Sequence, residues 1–154
     1  MQISKVKEIG EVFSIVAVLV TLIFLIVEVR ENTAAIRTES YGESIARLND
    51  WRLELAADSN LTRLFVEFNS GEEISWDVNE RQQIAFIISS LWSIYESAYF
   101  ANEYGTLGES EWARMKQMMC RQFDILLARP GFWDRVLVSQ LSPEFRSFVE
   151  TTCG

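Results

Sequence analysis

The residues able to do chemistry are few and far apart. The chain has no histidine and two cysteines, Cys120 and Cys153. Neither a Ser-His-Asp nor a Cys-His arrangement can be assembled from it, and the E-x-x-H di-iron signature is absent. It has no glycine-rich phosphate loop, and its cysteines lack the paired spacing of zinc or iron–sulfur ligands. Catalytic residues, metal ligands and cofactors are therefore not expected, and the chain does not read as an enzyme. Cys120 falls in an apolar helical pattern, where a free thiol packs as a small hydrophobe. Cys153 is expected to be exposed. Their redox state stays open.

Carboxylates are plentiful, with 22 Asp and Glu against 14 Lys and Arg and a net charge of −8. Most occupy helix positions that read as solvated faces. Two stand apart. Glu96 sits in the apolar stretch Ile84–Ala101, where an isolated charge would cost several kcal/mol. The structural reading is a buried ion pair, with Arg121 and Arg129 as candidate partners. The functional reading is a carboxylate that binds a proton or a ligand.

Glu28 closes a stripe formed by Gly10, Ser14, Ala17, Thr21, Phe24 and Glu28. Spacings of alternately four and three put these residues on one helix face. Lipid gives helices no hydrophobic reason to associate, so small residues and hydroxyls carry such contacts. The stripe reads as an oligomerisation face. In a ring of copies, Ser14, Thr21 and Glu28 would line a cation path. The plainer reading is that Ser14 and Thr21 bond back to their own helix carbonyls and Glu28 reaches the headgroups.

The element that must carry the stripe is Val12 to Val27, VFSIVAVLVTLIFLIV, which holds no charge and is bounded by Glu11 and Glu28. With Ile9, Gly10 and Val29 it makes about twenty helical residues, enough at ~1.5 Å each for the ~30 Å hydrocarbon core. A buried helix of a soluble core would carry more polar positions. A signal peptide would end in small residues rather than VEVREN. The run is read as a single membrane-spanning helix. Lys5 and Lys7 on one side roughly balance Arg30, Arg37 and Arg47 on the other, so the positive-inside rule decides little. The domain after the span is expected on the cytoplasmic side.

Residues 1–31 are thus a tail and span, and 32–154 an acidic all-α domain. The first helix is expected to continue to about Ala57, where Asp58-Ser59-Asn60 stops it and caps the next; a break at Glu31-Asn32-Thr33 is the alternative. Leu61–Asn69 reads as a short helix with Gly71 as its left-handed cap. Asp77 with Glu80 makes a capping box for a long helix that ends at Gly105. Its Ile84–Ala101 portion is nearly long enough for a second span. With Glu96, its serines and its tyrosines, it reads instead as a central core helix. Glu109 or Ser110 opens a helix that Arg129-Pro130-Gly131 ends. Phe132–Gln140 is a short helix, and Ser142-Pro143-Glu144 starts the last. The five tryptophans read as core.

Two stretches carry a resemblance. One is I-G-E, the apolar run, then V-R-E-N-T with Ile36 and Arg37. The other is Arg129-Pro130-Gly131-Phe132-Trp133 followed by Leu141-Ser142-Pro143-Glu144-Phe145. Both ends resemble an uncharacterised group of bacterial inner-membrane proteins with one N-terminal span and a small helical domain. The resemblance implies a bacterial inner-membrane location and assigns no functional residue.

The fold expected is all-α: one N-terminal transmembrane helix continuing into a cytosolic or periplasmic helical bundle. The role expected is a membrane-anchored homo-oligomeric scaffold whose partners are its own copies and membrane lipid. A homo-oligomeric cation channel and an anchored accessory subunit of a larger membrane complex are the alternatives. The acidic surface argues against nucleic acid.

Overall fold

A computed structural model describes residues 2–70 and 75–154, with the side chains of 2–13, 15, 37, 38 and 40 left aside. The described chain is helical throughout. Its helices are α1 (Gln2–Ala57), α2 (Ser59–Ser70), α3 (Val78–Glu103), α4 (Glu109–Leu127) and α5 (Pro143–Cys153), with a π-helical turn at Trp133–Leu137 between the last two. The residues form two compact units, Met1–Arg37 and Thr38–Gly154.

Local chemistry sets the boundaries. Helical hydrogen bonding runs through Glu31–Thr33 without a break, and the Thr33 hydroxyl donates to the Val29 carbonyl at 2.8 Å instead of capping a new helix. After Ala57, the Asp58 carboxylate accepts the N–H groups of Asn60 and Leu61, two of the donors a helix start leaves unpaired. Thr62 then donates to the Leu55 carbonyl at 2.6 Å, tying the start of α2 to the end of α1. Gly71 and the loop to Ile74 lie outside the described residues.

Asp77 and Glu80 form the full reciprocal capping box at the head of α3. At the other end Gly105 takes φ 69°, a conformation open to glycine at little cost. The turn then folds back so that the N–H groups of Thr106 and Leu107 reach the Ala101 carbonyl. Pro143 occupies the first turn of α5, and the Ser142 hydroxyl accepts from Phe145 N–H. The expected helix over Phe132–Gln140 contracts to the π-helical turn, whose Val138 N–H bonds to the Trp133 carbonyl.

In the second unit α3 is the central element. By length and composition it is long and apolar enough to cross a membrane, yet more than half of its most apolar window is buried inside the protein. Helices α2 and α4 and the π-helical turn pack against it, and α5 packs on α4. Trp92 lies fully buried at the middle, with its ring against Tyr95, Phe123, Trp133 and Phe145. The tryptophans are core or core-edge residues, as Trp51, Trp76 and Trp112 pack on its margin.

The cysteines are neither free nor independent. Cys120 on α4 and Cys153 on α5 form a disulfide, with 5.0 Å between their Cα atoms. This corrects the expectation of one packed thiol and one exposed thiol: both are half-buried. Helix-to-helix packing of α4 and α5 brings together residues 33 positions apart, a distance that no local spacing reveals.

Candidate functional site

The stripe residues whose side chains the structure describes are open to the surroundings. Ser14, Ala17, Thr21, Phe24 and Glu28 are all exposed; of Gly10 only its place in α1 is described. The neighbouring apolar residues from Val16 to Val27 are just as open, the large ones between 48 % and 65 % exposed.

The hydroxyl chemistry of the stripe is mostly local. Thr21 Oγ1 donates to the Ala17 carbonyl one turn back, at 2.9 Å. Its one proton is therefore used within its own helix, and toward a neighbour it offers only a small side chain and lone pairs. Glu28 is exposed and takes part in none of the ion pairs found among the described residues.

The expected Glu96–Arg121–Arg129 cluster does not form. Glu96 is half-buried, and its Oε1 accepts the backbone N–H of Ser142 at 2.7 Å. It is in none of the ion pairs of the described residues. A carboxylate at a helix start needs no cation, because unpaired N–H groups and the helix dipole favour negative charge there. Arg129 instead turns to the end of α2. Its Nη2 donates to the carbonyls of Glu67 and Phe68, both at 2.8 Å, and its Nε donates to Phe68 at 3.2 Å. The guanidinium lies over the rings of Phe68 and Trp76 at 5.6 and 5.7 Å. Arg121 lines a cavity bounded by α1, α2, α3 and α4.

One charge network had no counterpart in the sequence reading. Arg63 on α2 donates to Glu67 on its own helix at 2.8 Å and to Glu80 on α3 at 2.5 Å. Trp76 Nε1 donates to the same Glu67 carboxylate at 2.9 Å. The Trp76 and Arg63 hydrogen bonds hold Glu67 below the usual carboxylate range. The i, i+4 spacing of Arg63 and Glu67 was visible in the sequence, but the bridge to Glu80 needs the α2–α3 packing. These groups fasten a loop and two helices.

Compared with known proteins, the chain matches no family model, no curated protein and no solved structure.

Proposed function

We propose that this chain is a structural protein of the bacterial inner membrane, anchored by the Val12–Val27 run and assembled into a homo-oligomer through the stripe from Gly10 to Glu28. The observation that carries the reading is the exposure of ten large apolar side chains between Val16 and Val27. Burying one such side chain is worth about 1.5–3 kcal/mol. Leaving ten half-exposed to water would cost on the order of 10 kcal/mol, comparable to the ~5–15 kcal/mol stability of a whole domain. Lipid removes that cost. With Thr21 bonded within its own helix, association rests on close packing at Gly10, Ser14 and Ala17 rather than on hydroxyls donating across the interface.

The disulfide argues about sidedness. Disulfides persist in oxidising compartments and are rare in the cytosol, so Cys120–Cys153 favours a second unit outside the cytoplasm, opposite to the side expected from the sequence. Lys5 and Lys7 would then be the cytoplasmic flank.

Native mass spectrometry of the protein in lipid nanodiscs tests the reading. A single closed oligomer is expected, and replacing Gly10 and Ala17 with Leu should dissociate it. A monomer, or an oligomer indifferent to both substitutions, would overturn the proposal.

A further inference from the structure

A cavity of about 740 Å³ opens in the second unit where the end of α1 meets α2, α3 and α4. This lies within the ~300–1,000 Å³ range of small-molecule sites. Trp51, Leu55, Phe65, Leu91 and Ile125 make its apolar walls. Its polar edge is drawn from three helices: Arg52 on α1, Tyr95 on α3, and Arg121 with Gln122 on α4.

The polar edge offers donors and lacks a partner. Gln122 is only 8 % exposed, yet its Nε2 has no acceptor, a state that ordinarily costs about 1–3 kcal/mol. Tyr95 is 5 % exposed, and burial raises its phenol to about 12 against the opposing charge of Arg52, so it stays a donor at neutral pH. Arg52 and Arg121 enter none of the ion pairs of the described residues. The other polar residues of the lining are already occupied, as Thr62 donates to Leu55 and Asn69 to Phe65. Among the described residues no aspartate or glutamate lines the cavity, although the protein as a whole carries a net charge of −8. Two guanidinium groups and a phenol thus meet a greasy wall in an otherwise acidic molecule.

We propose that this cavity binds a single-chain fatty carboxylate. Arg52 and Arg121 take its charge, the Tyr95 hydroxyl supplies a further hydrogen bond, and the chain lies along Trp51, Phe65 and Ile125. Guanidinium groups match carboxylate geometry and are weakly hydrated, which suits a half-apolar site. A single acyl chain matches the one apolar wall beside the two guanidinium groups. The inference does not depend on oligomerisation.

Binding of dansyl-labelled undecanoic acid to the full-length protein in phosphatidylcholine nanodiscs tests this, with empty nanodiscs as background. Energy transfer from Trp51 should give a saturable signal that Trp51→Phe diminishes. Palmitate should displace the probe, while hexadecanol, with the same chain and no charge, should compete at least about tenfold less well. Arg52→Gln and Arg121→Gln should each weaken binding by about tenfold, the effect of one charge-assisted hydrogen bond. Both residues are exposed, so thermal melts of these variants should match the parent. The proposal fails if no saturable signal appears, as it would if a second copy of the chain covered the cavity. It fails equally if hexadecanol competes as well as palmitate, if the arginine variants bind normally, or if lysophosphatidate displaces the probe and palmitate does not. A monomer in native mass spectrometry would sink the scaffold and leave this result unchanged.

Discussion

Glu96 Oε1 accepts the backbone N–H of Ser142 at 2.7 Å, although the two residues are 46 positions apart. The bond joins the C-terminal half of α3 to the cap of α5, whose Ser142 hydroxyl in turn accepts from Phe145 N–H. Glu96 is therefore an anchor for a helix start. Glu96→Gln keeps an oxygen that can accept the same N–H and should cost less than about 1 kcal/mol. Glu96→Ala leaves the donor unpaired and should cost about 1–2 kcal/mol. Thermal unfolding followed by circular dichroism separates the two. An ion pair would have made Glu96→Gln strongly destabilising, by about 3–5 kcal/mol.

The disulfide closes a loop between positions 33 apart. Chain-entropy arguments assign such a link about 3–4 kcal/mol. The double variant Cys120→Ser/Cys153→Ser should melt at a temperature lower by roughly 5–15 °C. In intact cells a membrane-impermeant maleimide should label neither cysteine until a reductant is added, and then both. Labelling that requires permeabilised cells would place the second unit in the cytoplasm.

Arg129 binds through its fork. Two nitrogens reach two last-turn carbonyls of α2, groups that a helix end leaves without partners, and its charge lies over the rings of Phe68 and Trp76. Lysine keeps the charge and loses both the fork and the stacking. Arg129→Lys should therefore cost about 1–3 kcal/mol, close to the cost of Arg129→Gln, and should raise amide hydrogen exchange in the last turn of α2. If Arg129→Lys were neutral, charge near the helix end would be the whole contribution.

How much of this was legible in the sequence follows from the range of each interaction. The capping box of Asp77 and Glu80, the Asp58 cap, the stop at Gly105 and Pro143 in the first turn of α5 are all local, and their residue types name them. The core role of α3 was legible from its mixture of apolar positions with Glu96 and serines. Contacts between elements were not. The partner of Glu96 is a backbone N–H, which has no residue type to read, and Arg129 likewise binds carbonyls. Cys120–Cys153 and the grouping of Arg52, Tyr95, Arg121 and Gln122 depend on how helices cross.

Tyr95 makes the alkaline limb of the stability curve informative. Burial raises its phenol to about 12, with the Arg52 charge acting in the opposite direction, while an unfolded tyrosine titrates near 10. The folded chain therefore holds this proton where the unfolded chain gives it up. The stability it contributes is fully present below about pH 10 and is lost as the pH rises toward 12. At about 1.4 kcal/mol per pH unit the loss is on the order of 3 kcal/mol. Tyr95→Phe has no proton to lose, so its stability should fall less steeply over that interval. Phenolate absorbance should show one late step near 12 that Tyr95→Phe abolishes. The titration of Tyr99, also raised by burial and by Glu103 and Glu144, should remain. Arg52→Gln should move the Tyr95 step higher still, because the charge that favours the phenolate is gone. If Arg52→Gln left that step unmoved, the guanidinium would not face the phenol, and the polar edge of the cavity would lose its first pair.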